Sequence, residues 1–153
     1  MITLFKAEDW YKKALNLYQE SPQKAIEYLS EAIKLKPDYT EAYNKRGAAY
    51  NDLGKYQLAI NDFNEVIRLN PDYTDAYNNR GFAYYKLGQY QRAIGDYDKA
   101  ISLKPDNAFA YNNRGIAYLS LGNKTLGCPD LQHACALGKC EMVEAFKNKG
   151  YCH

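Results

Sequence analysis

Apolar positions recur at intervals of three and four along most of the chain, a rhythm that predicts α-helices. From Thr40 to Leu53, Tyr43, Gly47 and Tyr50 hold this spacing, with Ala48 and Leu53 beside them. Tyr56 to Leu69 repeats it through Tyr56, Ala59, Ile60, Phe63, Val66 and Ile67. Gly54 stands between the two stretches, where a helix C′ residue needs the left-handed backbone that only Gly enters without strain. Asn70-Pro71-Asp72 closes the second stretch, because Pro cannot continue a helix and Asx residues favour turns. The predicted unit is therefore a pair of helices. Tyr77, Gly81, Tyr84, Gly88, Tyr90, Ala93, Ile94, Tyr97 and Pro105 copy it one unit later.

The copies keep one period of 34 residues. Pro37, Pro71 and Pro105 hold it, as do Gly47, Gly81 and Gly115, and Arg46, Arg80 and Arg114. Gly54, Gly88 and Gly122 follow, with Ala25, Ala59 and Ala93, and Ala-Tyr dipeptides end at Tyr43, Tyr77 and Tyr111. A single such unit cannot bury its apolar face alone, so stacked neighbours must share one core.

These columns resemble the tetratricopeptide repeat (TPR) family. Its pattern asks for an aromatic, a small residue and an aromatic in the first helix, then Ala, an aromatic, Ala and Pro. Tyr43, Gly47, Tyr50, Ala59, Phe63, Val66 and Pro71 match it, and so do Tyr77, Gly81, Tyr84, Ala93, Tyr97, Ala100 and Pro105. The resemblance implies an all-α, right-handed α-α solenoid of helix hairpins, curved into a shallow arc and closed by a C-terminal capping helix. The expected organisation is a single domain over 1–153. It comprises a degenerate repeat at about 6–39, repeats at 40–73 and 74–107, and a degenerate repeat with the capping helix at 108–153. Trp10, Ala14 and Leu17 take first-helix places at the front, and Ala25, Leu29, Ala32 and Pro37 take second-helix places. At the back, Gly127 replaces the expected Ala and Pro129 follows it. Since Pro is tolerated only in a first turn, the last second helix is expected to start late, near Cys128. The capping helix is expected at about Glu141 to Lys149.

In this family the first helices line the concave side, which directs attention to two features. The first is a set of amides: Asn44, Asn78 and Asn112 form one column, Asn79 and Asn113 the next. An amide donates and accepts, so it can hold an extended backbone without reading side chains. Asn79 and Asn113 are similar in place to the asparagine ladder of some TPR peptide binders, while Lys45 interrupts that column. The alternative is that these are solvated polar positions repeated by duplication. The second feature is an apolar patch of Phe82, Tyr85, Phe109, Ile116 and Leu119, either a partner site or a face covered by the last helix or a second copy. The family's carboxylate clamp for chaperone tails is expected to be absent. Its Lys, Asn, Asn, Lys and Arg places hold Asn44, Ala48, Asn79, Phe109 and Asn113, and one of the five fits.

Arg46, Arg80 and Arg114 precede the glycines. They could form an anion site, but packing on tyrosine and pairing with Asp62 or Asp96 is the favoured expectation. All four cysteines, Cys128, Cys135, Cys140 and Cys152, lie in the tail with His133 and His153. Their spacing fits no common zinc pattern and no nucleophile–base motif. If Cys128 to Leu137 is a helix and the next returns antiparallel, pairs 135–140 and 128–152 fall opposite one another within disulfide reach. Bridges and four free thiols both remain open on this reading.

Composition narrows the function class. The charge balance is 20 basic against 18 acidic residues, a net of +2, which argues against nucleic acid or a membrane as partner. No apolar run is long enough to span a bilayer. MITLFKAEDW contains no secretory core, so a cytoplasmic location is expected, or a periplasmic or secreted one if the cysteines are bridged and a leader was removed. No cofactor, metal site or enzymatic activity is expected. The expected function is a protein–protein interaction scaffold binding an unidentified protein or peptide in the concave groove. The alternative is a homo-oligomeric scaffold that self-associates through its apolar C-terminal end.

Overall fold

The computed structural model describes residues 5–152. Among these residues it holds nine helices and no strand. They are α1 (Ala7–Leu17), α2 (Pro22–Leu35), α3 (Thr40–Asp52), α4 (Tyr56–Leu69), α5 (Thr74–Lys86), α6 (Tyr90–Leu103), α7 (Ala108–Ser120), α8 (Lys124–Ala136) and α9 (Glu141–Asn148). None is long and apolar enough to cross a membrane. The chain forms two compact units, one ending at Ala76 and the other beginning at Tyr77.

In the first unit α1 pairs with α2, α2 with α3, and α3 with α4. Small residues let these helices approach: Ala14, Ala25, Ala32 and Ala42 are fully buried around Leu29. Aromatic side chains fill the remaining space, with Trp10 and Tyr28 at 5.3 Å between ring centroids and Tyr11 and Tyr39 at 5.1 Å. A Cβ at Gly47 would lie 2.9 Å from the Phe63 ring, so the glycine is what admits the ring. Gly54 ends α3 at φ +70°, as its place after the last apolar position requires.

The second unit repeats this logic. Tyr97 packs on Gly81, where a Cβ would come within 2.7 Å of its Cε1. Tyr97 is fully buried, and the close contact falls on its rigid ring, not on the end of a flexible side chain. Gly81→Ala should therefore lose about 1–3 kcal/mol through overpacking. Urea unfolding followed by circular dichroism checks this, and a midpoint equal to wild type would remove the close-approach argument.

The last hairpin differs from expectation. α8 starts at Lys124, not near Cys128, and Pro129 sits inside it. Two interactions hold the early turn. The Asn123 side chain accepts a hydrogen bond from the Leu126 N–H at 3.1 Å. Gly127 lies against α7 so closely that a Cβ there would be 2.8 Å from the Gly115 carbonyl oxygen. Pro129 removes one donor from α8 on its exposed side, but capping and backbone-to-backbone packing keep the helix intact. Glycine replaces the usual alanine at 127 because this crossing brings two main chains together.

α9 packs on α8. Its Val143 joins Leu119, Leu131 and Cys152 in one buried cluster, with Met142 and Phe146 at the margin.

Candidate protein-interaction surface

The arginines before the glycines are committed to the fold. Arg46 grips Asp62 through Nε and a terminal nitrogen at 2.8 and 2.7 Å, and Arg80 holds Asp96 at 2.9 and 2.7 Å. Arg114 holds Asp130 at 2.7 Å twice and adds Asp98 at 2.6 Å. Each guanidinium also lies 5.4–5.6 Å from the ring of the tyrosine three residues earlier. Burial pushes the Asp62 and Asp96 carboxyls up from the ordinary 3.8, while the facing arginine pulls them down. The periodicity allowed Asp62 and Asp96 to be named from sequence. Asp130 stands 34 residues after Asp96 and completes the same column.

The amide columns separate in their surroundings. In the first unit the Asn44 amide nitrogen donates to the Tyr73 hydroxyl at 3.3 Å, and its carbonyl oxygen is buried with no hydrogen-bond partner among the described residues. In the second unit the Asn78 carbonyl oxygen is likewise buried and unmatched. Asn112 donates to Asn113 at 3.3 Å. Asn79, Asn112 and Asn113 are half-buried.

Around Asn113, the second unit forms a pocket of about 90 Å³ lined by Phe82, Tyr85, Tyr97, Asn113 and Ile116. The residues come from α5, α6 and α7. Phe82 is 37% exposed at its edge, and the Tyr85 hydroxyl lies 3.2 Å from Ser120 Oγ. Burial pushes the Tyr97 phenol above its ordinary value of 10, so it keeps its proton and can donate as well as accept. Among the described residues its hydroxyl has no hydrogen-bond partner. Tyr97 did not figure among the sequence-based groove positions, because its column reads as core.

Phe109 is 61% exposed, with the Lys139 ammonium 3.7 Å above its ring centroid. Leu119 departs from the expected patch. It is buried under α9 and faces Gly127, which leaves it the space to turn inward. Ile116 is half-buried at the edge of the same cluster and reaches the pocket.

In the tail, the structure joins Cys128 to Cys152 and Cys135 to Cys140, with Cα atoms 5.5 and 4.0 Å apart. No free cysteine stands among the described residues, nor any group of three side chains able to hold a metal ion. His133 packs its ring 4.3 Å from that of Tyr111. His153 lies outside the described residues.

These features define an all-α solenoid built of helix hairpins. Family profiles described as TPR repeat match residues 23–54 and 49–88, and others described as tetratricopeptide repeat match 74–107 and 96–126. The chain belongs to the tetratricopeptide repeat family. An uncharacterized protein of Methanocaldococcus jannaschii is 40% identical over 55 residues, covering 35% of this chain and 64% of that relative. The chain spans less than two thirds of the curated relatives it matches. Among solved structures, a crystal structure of MamA is 30% identical, covers 94% of this chain and 81% of its own, and superposes with a TM-score of 0.82. The first TPR of Spaghetti (RPAP3), bound to an HSP90 peptide, is 28% identical, covers 80% of this chain and 99% of its own, with a TM-score of 0.75. Both structures share the all-α TPR solenoid fold of this chain.

Proposed function

We propose that the first-helix side of the second unit binds an extended peptide segment of a protein partner. Asn79 and Asn113 would hold the peptide backbone, and Phe82, Tyr85, Phe109 and Ile116 would take its side chains. The observation that carries this reading is the juxtaposition at one pocket of an amide, Asn113, with the apolar surfaces of Phe82 and Ile116. An amide supplies both hydrogen-bonding senses that a peptide unit needs, and apolar walls beside it favour burial of side chains. Helices fixed by buried glycines and ion pairs keep these groups in place, which lowers the ordering cost of binding. A peptide complex of a similarly folded relative supports the class of ligand. The ligand here should differ from a carboxylate-ended chaperone tail, because Asn44, Ala48 and Phe109 stand where that clamp needs other residues.

The test compares partner capture by wild type and by an Asn79→Ala, Asn113→Ala double variant. Loss of two backbone-holding amides should weaken capture at least roughly tenfold, at about 1 kcal/mol for each net hydrogen bond. Equal retention of every captured partner would show that these amides are not contacts.

A further inference from the structure

Packing alone holds α9 weakly. The helix has eight residues, and Val143 is its one buried side chain. A helix so short is not stable by itself in water. Two bridges supply the rest. Cys135–Cys140 sits at the turn from α8 into α9, and Cys128–Cys152 ties the first half of α8 to the chain just past the end of α9. The turn has other supports, since the Gly138 N–H donates to the Cys135 carbonyl at 2.8 Å and the Lys139 N–H to the Ala134 carbonyl at 2.9 Å. At the far end the Lys124 ammonium lies 4.8 Å from the ring of exposed Tyr151, and the covalent tie is the bridge at Cys152.

The surface under α9 adjoins the pocket. Val143 and Cys152 close one buried cluster with Leu119 and Leu131. Ile116 borders that cluster and also lines the pocket with Phe82 and Asn113. Ile116 and Leu119 are three residues apart on α7, so they share a face. One period earlier, on α5, Phe82 and Tyr85 hold the same two places, and both line the pocket. The apolar strip on α7 therefore stops at Ile116 because the cluster closed by α9 takes Leu119.

We propose that α9 is a strap held by the Cys128–Cys152 bridge, and that opening this bridge with a dithiol releases Leu119 to lengthen the peptide-binding strip on α7. The inference rests on the peptide-binding reading above and adds its regulation. Attack falls on Cys128, which is half-buried, whereas Cys152 is 3% exposed. A thiolate of the dithiol bonds to Cys128 Sγ, the bond to Cys152 breaks, and Cys152 leaves as a thiolate that takes up a proton. The second sulfur of the dithiol then displaces Cys128, which is protonated in turn. The chain gains two electrons and two protons, and the dithiol is oxidised to its own disulfide. Opening Cys135–Cys140 has no such effect, because the hydrogen-bonded turn keeps that end of α9 beside α8.

A displayed library of random peptides, selected in parallel on the oxidised full-length chain and on its Cys128→Ser, Cys152→Ser variant, tests this. Peptides selected on the variant should carry one further apolar residue and bind it roughly tenfold more tightly than they bind oxidised wild type, the gain that burying one leucine side chain supplies. Their amide shifts should reach Leu119 in the variant and stop at Ile116 in oxidised wild type. Treating wild type with dithiothreitol should bring its affinity to that of the variant and speed hydrogen exchange in α9 by at least roughly tenfold, while α6 keeps its protection. A Cys135→Ser, Cys140→Ser variant should behave as oxidised wild type. Equal affinity in both redox states, or an α9 still protected after reduction, overturns the strap while leaving peptide binding intact. Loss of helical circular dichroism across the whole chain on reduction overturns it too, because the bridges then hold the fold. If neither protein selects a peptide, the peptide-binding reading falls and the lengthened strip with it.

Discussion

Arg80→Ala should lower the unfolding free energy by about 3–5 kcal/mol, because it strands the Asp96 carboxylate in a buried site. The Arg80 and Asp96 side chains are 18% and 9% exposed, so water cannot replace the lost partner at little cost. Replacing both, as Arg80→Leu with Asp96→Leu, should recover most of the loss, since two apolar groups leave no charge behind. Equal losses in the single and double variants would show that packing of the arginine stem matters and the ion pair does not. The pH dependence gives an independent check. Burial already raises the Asp96 carboxyl above 3.8, Arg80 opposes that, and Arg92 opposes it more weakly. Without Arg80 the folded-state value climbs further above the unfolded one. Such a group supports folding below its unfolded value and loses that support as pH rises through the folded one. The deficit of Arg80→Ala relative to wild type should therefore be smaller near pH 4 than at pH 7. A deficit that grows on acidification would contradict this sign.

The second large effect lies in the tail. Cys128→Ala with Cys152→Ala opens a loop closed across a separation of 24 residues and should lose about 3–4 kcal/mol from the last hairpin. Opening the Cys135–Cys140 loop, a separation of 5, should lose about 2 kcal/mol by the same chain-entropy reasoning. The larger loss arises where α9 is least able to hold itself. It has eight residues, and Val143 is its one buried side chain. Hydrogen exchange should show protection vanishing from α9 first, while α6 and α7 retain theirs. Native protein should release no titratable sulfhydryl without reductant, and four would contradict the bridges.

Much of the architecture was legible because the period of 34 places each glycine, arginine and aromatic in a column with one physical task. Arg46 and Asp62 stand sixteen residues apart, and so do Arg80 and Asp96, so one pairing implied the other. The same regularity concealed what breaks it. Leu119 and Tyr85 share a column, yet α9 buries the leucine while Tyr85 lines a pocket. Pro129 looked like a helix start because the general rule for proline is strong. The Asn123 cap and the approach of Gly127 to Gly115 are tertiary facts that outweigh it.

At the candidate surface, the amide columns could be read from the sequence but not their environments. The Asn44 and Asn78 carbonyls turn out to be buried, and Asn113 borders a pocket. Tyr97 was legible as a ring, since its column holds Phe63 one repeat earlier. Periodicity reports shape and apolarity, and it is silent about whether a hydroxyl finds a partner.

The most direct measurement of the binding claim is a titration of isotope-labelled chain with a display-selected peptide, followed by backbone and side-chain amide signals. Binding along the first helices predicts shifts at Asn79, Asn113 and the surrounding turns of α5 and α7, with the Asn113 side-chain amide among the largest. Shifts confined to α6 and α8, or saturating binding that leaves Asn79 and Asn113 unmoved, would contradict it.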